Sequence, residues 1–236
     1  MRLSNRSRFL RALVGFVLPQ ACEVCGARCG LDPVCADCVC ALPAAAHPAC
    51  TVCALPLPAP GVCGRCLKRP PAFDASRAAL AYTFPVDRLV QALKYRHRLG
   101  LAAYFSGLLL EAGRLDGVDC VVPLPMHPRG LRERGFNQAV ELARPLAKAW
   151  RLPLWPDAVA RTRDGPPQAS LDALARRRNV RGAFAADPTR FAGRSVLVVD
   201  DVMTTGATLQ ELARELKRAG AVRVENIVVA RTLSAR

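Results

Sequence analysis

The run Val196-Leu197-Val198-Val199-Asp200-Asp201-Val202-Met203-Thr204-Thr205-Gly206-Ala207-Thr208-Leu209 decides how the rest of the chain reads. Its first part, Ser195 to Val199, is β-branched and apolar, the pattern of a strand buried on both faces of a parallel sheet. Ligands of open α/β sheets sit just beyond the carboxyl ends of the strands, where the paired carboxylates of Asp200 and Asp201 lie. From Leu209 onward, apolar residues recur at helical spacing through Leu212, Ala213 and Leu216, and Gly220 supplies a stop. The turn Thr204–Thr208 is therefore expected at a helix N-terminus, where unpaired backbone N–H groups and the helix dipole favour an anion. Gly206 and Ala207 permit close backbone approach, and three threonine hydroxyls add donors. A phosphate monoester fits this turn, and the carboxylates can accept hydrogen bonds from a ribose diol. A capped helix beside two solvated aspartates is the plainer alternative, but it leaves the combination unexplained. A Walker A loop is excluded by the lack of a Gly-Lys-Ser/Thr ending, and a dinucleotide fingerprint by the lack of G-x-G-x-x-G.

The run resembles, without gaps, the phosphoribosyl-pyrophosphate (PRPP) motif of type I phosphoribosyltransferases. That resemblance implies ribose hydroxyls on Asp200 and Asp201. It implies a 5′-phosphate on Thr204, Thr205, Gly206, Ala207 and Thr208.

The chain has 236 residues, enough for one substantial domain and a small module. At 51% hydrophobic and 22% charged it can build a packed core. No apolar stretch is long enough to span a bilayer. Arg2, Arg6, Arg8 and Arg11 precede the apolar Ala12–Leu18, a loose imitation of an export signal. Arg11 interrupts it, and residues 1–19 read instead as a basic amphipathic helix docking on a cytoplasmic protein. The net charge of +15 suggests polyanionic partners such as PRPP, pyrophosphate or nucleic acid. A solvated arginine-rich surface is the bland alternative.

Eight of the eleven cysteines form a repeat. Cys22-x2-Cys25-x9-Cys35-x2-Cys38 is followed by Cys50-x2-Cys53-x9-Cys63-x2-Cys66, each cysteine 28 residues after its counterpart. A C-x2-C knuckle aims two sulfurs at one point, and two knuckles give the four-sulfur tetrahedron that zinc prefers. Closing each unit on itself gives two structural zinc ions; a crossed pairing is less economical. Two such tetrathiolate sites would lower the net charge to about +11. Residues 20–70 hold few large apolar side chains, so metal would supply the missing folding energy. A disulfide framework and an iron–sulfur cluster compete. The sugar-phosphate site and the unconvincing export signal argue against disulfides. Cys29 and Cys40 have no counterparts in the second unit and read as spare thiols, Cys120 as a small buried side chain. His47 reads as an exposed loop residue.

Residues 71–236 alternate strand and helix. Strands are expected at Arg77–Phe84, Asp119–Leu124 and Val222–Ala230, and helices at Val86–His97, Leu101–Ala112 and Asn137–Trp150. The fold class is α/β: a mainly parallel sheet flanked by helices on both sides, preceded by the cysteine-rich module. Two loops carry charge that a pyrophosphate leaving group needs. One follows the second strand and holds Arg129, Arg132 and Arg134, arginine suiting phosphate geometrically. The other runs from Arg161 to Phe184, with Gln168, Arg176–Arg178, Asn179 and Arg181, and reads as a lid.

Together the cysteine module, Leu93-Lys94-Tyr95, Pro123-Leu124-Pro125, Arg134-Gly135-Phe136-Asn137-Gln138, Gln168 with Arg178-Asn179-Val180, and the opening run resemble the ComF family of competence-associated phosphoribosyltransferases. Ala175 departs from the pattern, where relatives often carry an acidic residue. The resemblance implies a type I phosphoribosyltransferase fold, an N-terminal double zinc ribbon and a link to the uptake of transforming DNA. The activity expected is Mg²⁺-dependent transfer from PRPP. Asp200 and Asp201 would stabilise a cationic ribose ring, and Arg132 and Arg134 would neutralise the departing charge. The rival expectation is a regulator that keeps the pocket as a sensor and binds single-stranded DNA, with Lys94-Tyr95-Arg96-His97-Arg98 as a basic-aromatic stretch. The cysteine module as a platform for protein partners is compatible with either. No base-recognition signature identifies the acceptor, whose hood would come from residues near 72–100 or from the module.

Overall fold

The computed structural model describes residues 20–113, 117–163 and 181–233. In chain order its elements are β1 (Gln20–Ala21), β2 (Arg28–Cys29), α1 (Ala36–Cys40), α2 (Gly64–Lys68), β3 (Ala75–Ala81), α3 (Val86–Tyr95), α4 (Gly100–Glu111), β4 (Cys120–Pro123), α5 (Pro128–Arg134), α6 (Gln138–Trp150), β5 (Val159–Arg161), β6 (Phe184–Ala186), α7 (Pro188–Phe191), β7 (Ser195–Met203), α8 (Ala207–Arg218) and β8 (Arg223–Arg231). The central sheet is parallel, in the order β3-β8-β7-β4. The expected amphipathic helix at 1–19 and the arginine-rich lid around Gln168, Arg176–Arg178 and Asn179 lie outside the described residues.

Because successive side chains of a strand point to opposite faces, the valine-rich strands feed two apolar layers. Leu197, Val199, Ile227 and Val229 meet Leu89 and Leu93 of α3, Phe105 of α4 and Leu142 of α6. Val196, Val198 and Val228 meet Leu209, Leu212 and Leu216 of α8 and Phe191 of α7. The helices therefore cover both faces, as the alternation predicts.

Three local features differ from expectation. The opening run stays in strand through both aspartates to Met203, because β8 continues to pair with it: Asp200 lies opposite Val228 and Met203 opposite Arg231. The loop after β4 contains the short helix α5, started by His127 with Pro128 behind it and stopped by Gly135 at φ 78°. Proline at the first position and a left-handed glycine past the last are the normal boundaries of a helix. Finally, β5 and β6 pair antiparallel at the two ends of the long loop, giving it a stem.

The cysteine-rich segment wraps the β3 edge of the sheet. Ala44 bridges antiparallel to Leu80, with Ala45 N–H donating to Ala79 O (3.0 Å) and Ala81 N–H to Pro43 O (2.9 Å). Ser76 N–H donates to Thr51 O (3.1 Å). The first cysteine unit then joins the apolar layer of α3, α4 and α6 through Cys22 and Val34. The second joins the opposite layer through Cys50, Cys53, Cys63 and Cys66. An open sheet edge is a template for unwanted pairing, and here it is covered by the chain itself. Deleting residues 1–70 is expected to uncover that edge and parts of both layers. Size-exclusion chromatography should show aggregate; a monodisperse, thermally cooperative truncation would contradict this packing.

Candidate functional site

A cleft of about 930 Å³ opens at the carboxyl ends of β4 and β7. Its floor is the end of the opening run. Asp200 and Asp201 are buried, 6% and 3% exposed, and each is fixed by the backbone of the next residue. Asp201 N–H donates to Asp200 Oδ1 (2.8 Å), and Val202 N–H donates to Asp201 Oδ1 (2.9 Å). Lys94 of α3 places Nζ 2.6 Å from Asp201 Oδ2. Burial, then the charge of Asp201, pushes the Asp200 carboxyl well above its ordinary range, while Lys94 acts against this. Burial alone would lower the Lys94 ammonium, but Asp201 outweighs it and raises it.

The strand passes into α8 through Thr204–Gly206. Gly206 takes φ 79°, a left-handed conformation in which an added Cβ would come within 2.8 Å of the Met203 methyl group. It also brings no side chain to cap α8. Thr204, Gly206, Ala207 and Thr208 line the cleft, whereas the Thr205 hydroxyl turns to accept from Ala207 N–H (3.3 Å). The start of α8, where the helix dipole favours an anion, therefore faces the cleft.

The opposite wall comes from α3, α5 and the start of α6. Asn137 caps α6 by accepting from Ala139 N–H (3.0 Å), and its Nδ2 donates to Leu124 O (3.0 Å). That bond fastens the Arg134–Gln138 stretch to the end of β4. Arg134 donates to Gln138 Oε1 (2.6 Å) and lies over the Tyr95 ring, 5.4 Å from its centre. His127, Arg129 and Arg161 also line the cleft. Arg132 is exposed on α5 and does not line it. Of the sequence-derived residues, the structure gathers Asp200, Asp201, Thr204, Gly206, Ala207, Thr208 and Arg134 around one space, and leaves Arg132 and Thr205 outside.

The two cysteine units repeat in three dimensions. In the first, Cys25 Sγ and Cys35 Sγ are 3.7 Å apart and Cys35 N–H donates to Cys22 Sγ (3.4 Å). In the second, Cys53 Sγ and Cys63 Sγ are 3.7 Å apart and Cys63 N–H donates to Cys50 Sγ (3.3 Å). The knuckles correspond too: Gly26 (φ 75°) and Ala54 (φ 55°) are both left-handed. Within each unit all four sulfurs lie within 4.8 Å of one another, so each closes on itself and the crossed pairing is not used. Zinc–sulfur bonds of ~2.3 Å set a tetrahedral edge of about 3.8 Å, which the sulfurs match; a disulfide needs ~2.05 Å. The residues therefore fit zinc. Burial acts to raise the Cys22 and Cys50 thiols, but backbone donors outweigh it. They bring Cys22 down to about 6 and Cys50 to about 7, favouring the thiolate a metal requires. The second unit is wholly buried, whereas Cys25 of the first is exposed.

The phosphoribosyl transferase domain family matches residues 130–236. The chain is 38% identical over 180 residues to the DNA utilization protein YhgH of Escherichia coli (strain K12), covering 72% of this chain and 78% of that one. It is 31% identical over 172 residues to Competence protein F of Haemophilus influenzae, covering 69% and 75%. The chain belongs to the ComF family. A solved structure of the allosteric regulatory enzyme of purine biosynthesis aligns with 54% of this ComF protein and 25% of that longer chain, at 20% identity and a TM-score of 0.37. The family match and the parallel sheet flanked by helices make the fold a phosphoribosyltransferase-type α/β domain, with an N-terminal cysteine-rich module whose two tetracysteine groups could hold zinc. No helix among the described residues is long and apolar enough to cross a membrane.

Lys94 and Tyr95 stand out in the sequence through the family resemblance and the basic stretch, but nothing in the spacing of Lys94 signals a partner on β7. Tyr82, which the sequence does not single out, lines the cleft from the end of β3.

Two outcomes follow from this geometry. The ComF protein should carry two zinc ions per chain by elemental analysis. A chelator should remove them in two phases, the exposed first unit before the buried second; one ion or none would contradict the reading of two closed four-cysteine sites. For Asp200, a carboxyl pKa raised above 3.8 means that the fold gains from its proton at low pH and loses that gain as pH rises through the folded value. Asp200→Asn should therefore raise the melting temperature at pH 8 by roughly 2–4 °C. That difference should vanish below about pH 4. A variant less stable than wild type at pH 8 would show that the carboxylate is not under strain.

Proposed function

We propose that this ComF protein binds PRPP with Mg²⁺ and transfers the phosphoribosyl group to an acceptor, releasing pyrophosphate, in support of DNA uptake. The observation that carries this reading is a pair of buried carboxylates running directly into a threonine-glycine turn at a helix start, all lining one cleft. Asp200 and Asp201 accept hydrogen bonds from the ribose diol and stabilise the positive charge that develops on the ring as the bond to pyrophosphate stretches. Thr204, Gly206, Ala207 and Thr208 hold the 5′-phosphate, so binding energy distant from the reacting carbon orients it. Arg134, braced by Gln138 and Tyr95, faces the departing pyrophosphate better than the outward Arg132 does.

The donor set fits magnesium. Two adjacent carboxylates are buried beside the ammonium of Lys94, which pairs with Asp201, and burial followed by the charge of Asp201 pushes the Asp200 carboxyl up. Mg²⁺ beside them would neutralise this charge together with that of the pyrophosphate. A nitrogen acceptor needs no dedicated base.

A second reading keeps the PRPP pocket as a sensor without turnover and assigns the protein to single-stranded DNA. The exposed Tyr95 (66%) and Phe84 (70%) beside α3, together with the net charge of +15, favour it. The names of the relatives, DNA utilization protein and Competence protein F, suit either reading. Any protein partner of the cysteine module would meet its first unit, which is the more exposed.

Removing a charged hydrogen-bond partner costs about 1.5–3 kcal/mol. Asp201→Ala is therefore expected to weaken PRPP–Mg²⁺ binding by roughly 10- to 150-fold in calorimetry. A screen of nucleobase, amine and nucleic-acid acceptors should then show pyrophosphate release by the wild type and none by the variant. Full PRPP affinity in Asp201→Ala would refute the site. Binding without release for any acceptor, with steeply salt-dependent DNA binding, would favour the sensor.

A further inference from the structure

The last residue of β8, Arg231, is 1% exposed, one of the largest side chains buried to this degree. Its Nε donates to Cys53 O (2.9 Å), inside the knuckle of the second cysteine unit. Its Nη1 donates to Met203 O (3.0 Å) and to Thr204 O, at the end of β7. Thr232 continues the contact: its N–H donates to Met203 O (3.2 Å) and its hydroxyl to Thr204 O (3.2 Å). One guanidinium thus bridges the second tetracysteine group and the turn that opens α8. A buried guanidinium is expensive unless it is paired. Four thiolates around zinc would leave the neighbouring unit with a charge of about −2, a counter-charge already inside the fold.

The consequence for the turn follows from peptide geometry. A trans peptide is planar, with its C=O and N–H on opposite sides. With the carbonyls of Met203 and Thr204 drawn back onto Arg231 and Thr232, the N–H groups of Thr204 and Thr205 face away from the cysteine unit. Thr204 and Gly206, on either side of Thr205, line the cleft.

We propose that Arg231 is a positioning residue that ties the second cysteine unit to the phosphate turn and fixes the direction of the turn's backbone donors. The proposal rests on the reading of Thr204–Thr208 as the seat of a 5′-phosphate, and it assigns the second tetracysteine group a part in ligand binding that its distance from the cleft conceals. Arg231 touches no ligand; it acts through the Met203 and Thr204 carbonyls. Lysine has a single nitrogen in place of the guanidinium fork and cannot serve the knuckle and the turn together.

The test compares two fragments of the donor in calorimetry on the full zinc-loaded chain: ribose 5-phosphate, which needs the turn, and inorganic pyrophosphate with Mg²⁺, which does not. Arg231→Gln is expected to lower ribose 5-phosphate affinity at least about tenfold while pyrophosphate affinity stays within about twofold. Arg231→Lys should recover only part of the loss. Thr232→Val keeps the guanidinium and removes the hydroxyl that holds Thr204 O and accepts from Arg231 Nη1; it should weaken ribose 5-phosphate binding alone, by a few-fold, with two zinc ions retained. If the arginine variants are insoluble, Thr232→Val decides. Equal loss of both fragments would mean general structural damage and would overturn the proposal, as would unchanged ribose 5-phosphate affinity. A wild-type protein that binds neither fragment would instead refute the phosphoribosyl reading itself, and this inference with it.

Discussion

The parallel pairing of β7 with β8 is the constraint on which the site depends. Each strand is nine residues long, and their register sets Asp200 opposite Val228 and Met203 opposite Arg231. One ladder therefore decides three things at once. It keeps the aspartates in extended backbone past the apolar run, sets where the chain leaves the sheet for α8, and brings Arg231 beside the carbonyls it holds. Because side chains alternate along a strand, a slip of one residue would turn the carboxylates and the valines to the wrong faces together. The two apolar layers on either side make such a slip very unfavourable.

Against that rigid frame the cleft holds a costly arrangement of ionisable groups. Two carboxylates are buried side by side with the Lys94 ammonium between α3 and β7. The fold tolerates this because the surrounding strands and helices are already fixed by apolar contact. The orientation of these groups is therefore set before anything enters the cleft, and that is the physical meaning of preorganisation here. The site is in this sense less stable than it would be without its function.

Much of this is legible in the sequence. The strand, the carboxylates and the helix start of the opening run are local in sequence, so hydrophobic period and turn chemistry reveal them. The cysteine repeat is legible for the same reason, and the structure repeats it down to the left-handed residue of each knuckle. Other features depend on residues brought together from far apart. Lys94 against Asp201, and Arg231 against Cys53, join positions whose spacing carries no periodic signal. The helix α5 is masked by its arginines, which draw attention to charge, although His127-Pro128 and Gly135 mark its ends. Nothing local tells that the segment around Ala44 lies on the edge of β3, because that contact is chosen by tertiary packing.

The wrapping of β3 by the cysteine-rich segment also bears on the order in which the chain can mature on the ribosome. The cysteine units and β3 are translated early, but β3 pairs with β8, the last of the described elements to be made. Until β8 arrives, the second unit lacks Arg231 and one apolar layer lacks its central strand. For most of translation, eight clustered thiols therefore have no interior to enter, and a metal such as zinc, which the two four-cysteine groups could hold, would order them early. With a sheet closed by its final strand, any zinc held by these groups would have to reach them during synthesis to order them early.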